Sequence, residues 1–246
     1  MLETDRKLTE LVGRLKDAAQ ANLHAAILYG SAARGDHQEG HSDLNVLCVM
    51  ASLEVGEMKR VAPVVKWWTA KEKEPAPLFF TEKELHHSAD VFAIELLDMQ
   101  RDRRVLFGKD AIAEIHVPMN LHRVQVEHEL RTMMLKLRQQ FLLSAGNEAE
   151  LRGTFSKSIS SARTLARHAL IALGEQPPDA PAQMFARVAQ LTGADANAFH
   201  AGLELRTDGG RIEIAAAYGR YLNALEKVTE ALEHHVPKKE WQRKGH

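Results

Sequence analysis

The chain has 246 residues, of which 45% are apolar and 26% charged. These are the proportions of a folded globular protein and exclude disordered, collagen-like and low-complexity classes. Its 32 Lys and Arg stand against 33 Asp and Glu, a formal net charge of -1, so no whole-chain basic field argues for sequence-independent nucleic-acid binding.

Residues 4–20 place Leu8, Leu11, Val12 and Leu15 at helical spacing, with Thr4 and Asp5 supplying the start. His24 to Tyr29 is an apolar run too short for a helix and stopped by Gly30-Ser31, which reads as a buried strand ending in a tight turn. After Ala32-Ala33-Arg34 and a polar loop from Asp36 to Ser42, Asp43 to Met50 reads as a second strand. It is polar at its first and third positions and then wholly apolar. Cys48, the one cysteine, lies in that apolar run and reads as a small buried hydrophobe, and without a disulfide partner it suits a reducing, cytoplasmic compartment.

Residues 53–68 carry a helical stripe, Lys71 to Pro77 is a charged loop punctuated by proline, and Leu78-Phe79-Phe80 is a short strand. Thr81 caps a helical turn over Glu82 to His87. Val91 to Met99 reads as another buried strand, with one carboxylate, Glu95, in its middle. Arg101 to Gly108 reads as a helix stopped by glycine, and Val117-Pro118 marks a boundary between domains 1–118 and 119–246.

Beyond Asn120 every apolar period lengthens to three or four. Leu130, Met133, Met134, Leu137 and Phe141 define one helix; Leu151, Phe155, Ile159, Leu165, Leu170 and Leu173 define a second, stopped at Gly174. Pro177 to Pro181 is a linker, Met184 to Leu191 a shorter helix, and about Arg211 to His235 a last long helix with the seam of an antiparallel bundle. The tail bearing Lys238, Lys239, Arg243 and Lys244 is basic. Met1 to Lys7 lacks the basic-then-apolar order of a signal peptide, and no apolar stretch approaches the ~20 residues that span a bilayer, so the expectation is a cytoplasmic protein without a membrane partner.

The stretch Tyr29-Gly30-Ser31-Ala32-Ala33-Arg34-Gly35, a loop, and then Ser42-Asp43-Leu44-Asn45 carries the chemistry. A strand ending in Gly-Ser offers backbone N–H groups and a small hydroxyl where phosphate oxygens can come close, and a side chain at position 30 would block that approach. Period-two alternation turns Asp43 and Asn45 to one face, where an aspartate can hold Mg²⁺ against phosphate oxygens.

These residues resemble the nucleotidyltransferase superfamily that includes DNA polymerase beta and the aminoglycoside nucleotidyltransferases. Its signature is an apolar strand, Gly-Ser, a gap of about ten residues, Asp-apolar-Asp and a third carboxylate on a later strand. Gly30, Ser31 and Asp43 match, Arg34-Gly35 fits the frequent Gly-Ser-x-x-Arg-Gly version, and the third acid falls on Glu95, with Asp98 and Asp90 behind it. The resemblance implies an α+β architecture: a small mixed-sheet catalytic domain followed by an all-helical bundle. It implies Mg²⁺-dependent transfer of a nucleoside monophosphate from an NTP, ATP first, to a hydroxyl acceptor that is a small molecule or a macromolecule. Gly30, Ser31 and Arg34 would hold the triphosphate, while Asp43, Glu95 and Asn45 would form the catalytic, metal-facing set. It also points to Glu127 or Glu129 as general base, although a helix dipole already explains a carboxylate in a first turn.

The second acidic position is Asn45, whose neutral amide lacks the charge with which a bridging carboxylate holds two metal ions close. That departure motivates a second reading: a lapsed nucleotide-binding or interaction protein of the same fold, antitoxin-like, or a regulator working as a homodimer through the bundle. His41, His86 and His87 lack metal-ligand spacing and read as loop or surface residues.

Overall fold

The computed structural model describes residues 3–34, 43–207 and 212–235. Gly35, His41, Ser42 and the basic tail therefore lie outside the described residues. The chain divides into two compact units, Met1–Val117 and Pro118–His246.

In the first unit four strands, β1 (Leu23–Tyr29), β2 (Asn45–Met50), β3 (Leu78–Thr81) and β4 (Arg103–Gly108), form one mixed sheet in the order β3-β2-β1-β4. β1 pairs antiparallel with both β2 and β4, and β2 pairs parallel with β3. The central strands are covered on both faces, which is why their sequences run apolar without alternation. Leu44, Val46, Cys48 and Met50 pack on helices α1 (Glu3–Ala19) and α2 (Val55–Ala70) through Leu8, Leu11, Leu15, Val61 and Trp68. Ala25, Ile27, Leu47 and Val49 pack on the other side against α3 (Glu82–His87), α4 (Ala93–Arg101) and Ile112, Ile115 and Val117. Burial lifts the Cys48 thiol to about 12, so it is an inert core group. Thr81 and Glu84 form a reciprocal capping box at the start of α3, where the sequence places it.

Two expectations are overturned. The run Val91 to Met99 is not a strand: Ala93, Leu96 and Met99, three residues apart, bury one side of α4 against the sheet, a helical period written in good helix formers. Arg101 to Gly108 is not a helix: its residues from Arg103 form edge strand β4, paired with β1 from Tyr29↔Arg103 to Ala25↔Gly108, with a register shift at Leu106. Gly108 is not a helix stop. It sits at φ 73°, and a Cβ there would run into the His24 carbonyl of the neighbouring strand, so glycine serves the close approach of β1.

The second unit consists, among the described residues, of α5 (Met119–Leu143), α6 (Glu148–Ala172), α7 (Pro181–Thr192), α8 (Ala196–Thr207) and α9 (Ile214–His234). Sequence periodicity misses α8, yet its Phe199 stacks on Phe185 with ring centroids 4.6 Å apart, inside an aromatic core completed by Phe155, Tyr218 and Tyr221. Among the described residues no helix is long and apolar enough to cross a membrane.

Candidate functional site

β1 ends at Tyr29, which pairs with Asn45, the first residue of β2. Gly30 follows at φ 81°, a left-handed turn residue, and the chain enters a short 3-10 turn over Ser31–Arg34 closed by Ala33 N–H donating to Gly30 O at 3.0 Å. Among the described residues a Cβ on Gly30 would meet only the Asn45 amide, at 3.8 Å. Position 30 thus needs glycine for its backbone conformation.

Ser31 and Asp43 each lie two residues beyond the Tyr29↔Asn45 pair, outside the strands: the chain turns at Gly30 into the 3-10 turn, and β2 begins at Asn45. Leu44 is 1% exposed and packs with Val46 in the α1–α2 core, so strand alternation turns Asn45 to the opposite face. Ser31 and Asn45 are half-buried and Asp43 is exposed. Among the described residues the hydroxyl of Ser31, the carboxylate of Asp43 and the amide of Asn45 have no hydrogen-bond or ion-pair partner. Tyr29 beside them is half-buried, and that burial raises its phenol above the ordinary value.

Asp102, just past α4, joins this edge from the other side. Its carbonyl accepts the Gly30 N–H at 2.8 Å. Its carboxylate accepts from Arg34 Nη1 at 3.1 Å and from Arg101 Nε at 2.9 Å and Nη2 at 2.5 Å. Arg34 is thus both beside the turn, as the motif places it, and anchored by a carboxylate that sequence reading passed over. An Asp following an Arg at a helix end carries no sequence signal of its own; only the Tyr29↔Arg103 pairing brings Asp102 to Gly30.

Glu95 is not in a buried strand. It is exposed in the first turn of α4, and a carboxylate there is already favoured by the helix dipole. The argument that selected it, a charge enclosed by apolar strand neighbours, therefore falls. At helical spacing Glu95, Asp98 and Asp102 share one flank of α4, and Asp102 is the member that reaches the turn. Among the described residues no three His, Cys, Asp or Glu side chains form a group that could hold a metal ion.

The helical unit's two base candidates also read differently. Helix α5 begins at Met119 with no acid in its first turn, so Glu127 and Glu129 lie in its third. Burial alone would raise the Glu127 carboxyl, but hydrogen bonds from Arg131 and Arg123, each at 2.9 Å, outweigh it and hold the group below the usual carboxylate range. A carboxylate so engaged is a staple, not a proton acceptor. Glu129 is exposed and lines a groove of about 480 Å³ between α5 and α6 with Lys136, Gln140 and Lys157.

No family model and no curated protein matches the sequence. Among solved structures the chain is similar to a spectinomycin adenyltransferase, AAD(9), from Enterococcus faecialis, solved with ATP and spectinomycin. The TM-score is 0.50 at 14% identity, over 91% of this chain and 98% of that one. The chain has the fold of an aminoglycoside-type nucleotidyltransferase: α+β, a small mixed sheet with a helical unit after it.

Proposed function

We propose that the chain is a nucleotidyltransferase that moves a nucleoside monophosphate from an NTP to a hydroxyl acceptor. The observation that carries this reading is the end of β1 and β2, where a left-handed glycine lies against the Asn45 amide and where Ser31, Asp43 and Asn45 have no hydrogen-bond or ion-pair partner among the described residues. Polar side chains that a fold leaves accessible and unengaged beside a tight turn are available to a ligand. The fold's solved neighbour holds ATP and spectinomycin, which supports ATP as donor and a small hydroxyl-bearing molecule as acceptor.

In this reading the turn at Gly30 and Ser31 takes the phosphate chain, with the Arg34 guanidinium beside it. Asp43 and the amide oxygen of Asn45 supply hard oxygen donors. The set fits one Mg²⁺ arriving with the triphosphate rather than two ions bridged by a shared carboxylate. That ion, when bound, would offset the charge that grows on the phosphate oxygens. The acceptor hydroxyl attacks the α-phosphorus and gives its proton to solvent, the bond from the α-phosphorus to the bridging oxygen breaks, and pyrophosphate leaves. Glu95 and Asp98 on α4, and Asp90 just before it, are the acids for a third metal-facing position, and Glu95→Gln, Asp98→Asn and Asp90→Asn variants separate them. Pyrophosphate release with ATP and Mg²⁺, lost in Asp43→Ala, is the expected result. Absence of nucleotide binding with every divalent ion tried would overturn the reading.

Asn45 supports a second reading, a lapsed nucleotide-binding or regulatory protein of the same fold. Asn45→Asp decides between them. Turnover that appears only in the variant favours the lapsed protein, while turnover in the unaltered chain favours the enzyme.

A further inference from the structure

Asp102 is among the few charged side chains that the chain buries, at 8% exposure. Its oxygen Oδ2 receives Arg34 Nη1 together with Arg101 Nε and Nη2, while its main-chain N–H closes α4 on Asp98 O at 3.0 Å and its carbonyl receives Gly30 N–H. One residue therefore ties the helix end, the turn after β1 and two guanidinium groups together. The two arginine side chains are each about a third exposed, 36% and 33%.

We propose, building on the nucleotidyltransferase reading, that Asp102 is a positioning residue: its carboxylate fixes the Arg34 guanidinium beside the Gly30–Ser31 turn, where the arginine meets the nucleotide's polyphosphate. Burying a carboxylate carries a desolvation cost that an apolar side chain would avoid, so stability alone is a poor reason for an aspartate here. An arginine loses much rotamer freedom when it grips an anion, and a planar fork held in place beforehand loses less on binding. Anchoring carboxylate and turn through the same residue keeps guanidinium and Gly30 N–H in one frame. If Asp102 merely neutralised positive charge, its removal would strengthen anion binding. A positioning role has the opposite sign.

The test is calorimetric titration of the full chain with Mg²⁺ and a non-hydrolysable ATP analogue, and separately with inorganic tripolyphosphate. It compares the unaltered protein with Asp102→Asn, Arg34→Gln and the double variant. Each single variant is expected to bind both probes about tenfold more weakly, a factor set by one charge-assisted contact. The double variant is expected to bind no more weakly than Arg34→Gln alone, because Asp102 acts through Arg34. Unchanged or tighter binding in Asp102→Asn, or losses that add in the double variant, would overturn the proposal. Should Asp102→Asn not melt cooperatively, Arg34→Lys carries the test: it keeps the charge without the fork, and undiminished affinity overturns the proposal. An unaltered chain that binds neither probe removes the nucleotide reading itself and this inference with it, whereas binding by the unaltered chain with indifferent variants removes the inference alone.

Discussion

In the helical unit, several buried polar side chains close hydrogen bonds within the fold. Tyr218 donates to Leu137 O at 2.8 Å, Ser158 meets the Tyr221 hydroxyl at 3.2 Å, and Thr229 donates to Leu225 O at 2.8 Å. At the end of β1 and β2 in the first unit, Asn45 opens β2 and Ser31 and Asp43 lie just outside the paired strands, all three with no such partner among the described residues. The two regions differ in exposure: Tyr218, Tyr221 and Thr229 are buried and paired inside the fold, whereas Asp43 is exposed and Ser31 and Asn45 are half-buried. A buried, paired polar residue reports architecture; an accessible one without a partner in the fold is open to a ligand.

The hardest blow to this contrast comes from Asp43→Ala. If the edge is held for a metal-bound nucleotide, ATP turnover measured by pyrophosphate release should fall by about two orders of magnitude or more. The melting curve should barely move, because an exposed side chain without partners supports nothing. A large stability loss with unchanged turnover would mean that the edge is structural after all.

Gly30→Ala sharpens the same contrast from the backbone side. The added methyl meets no clash among the described residues, but φ 81° is a left-handed conformation that costs an L-residue roughly 1–2 kcal/mol. Denaturant unfolding should show a loss of that size. A loss several times larger would mean that the space above the turn is filled.

On the helical side, Tyr218→Phe should cost about 1 kcal/mol in stability, since it removes the hydroxyl that donates to Leu137 O beside the helix's own hydrogen bond, while the ring keeps its packing. Turnover should be unaffected. Burial lifts that phenol to about 12, so its hydrogen bond is expected to persist across the neutral range. A drop in turnover at constant stability would give the helical unit's polar core a role in chemistry.

The contrast also governs what sequence reading recovers. β1, the Gly30-Ser31 turn, β2 and the Thr81 cap are legible because each rests on local signals: a short apolar run, a turn pair, a capping residue with its acid three places on. Glu95 and the Val91–Gly108 segment are not. A nine-residue apolar run serves a strand or a buried helix equally well, and the choice is made by the sheet, which takes Ala93, Leu96 and Met99 on one side of a helix. β4 is a strand because β1 offers it an edge, and its charged start, Arg103-Arg104, hides that. Asp102 is invisible for the same reason, as its neighbours Gly30 and Arg34 come from a distant part of the chain. Helix α8 escapes because its one deeply buried aromatic, Phe199, repeats at no visible period; the stack on Phe185 is what places it.

The smallest effect concerns Glu127, an acid read from the sequence as a candidate base and found instead between Arg123 and Arg131. Arg123 also donates to Leu232 O, and Arg131 to Glu233, so the cluster ties α5 to α9. Because the folded carboxyl lies below the unfolded value of about 4.3, these contacts contribute stability that is complete above that pH and lost as the pH falls through the lower folded value. Melting curves between about pH 6 and pH 3 should therefore show a gap between the unaltered protein and Glu127→Gln that closes on acidification. A gap constant with pH would assign the loss to packing of the side chain. Turnover in Glu127→Gln should match the unaltered protein at neutral pH, because a carboxylate committed to two guanidiniums is a poor proton acceptor. A loss of turnover with the melting curve intact would return Glu127 to the chemistry and erase the distinction between the two regions at that residue.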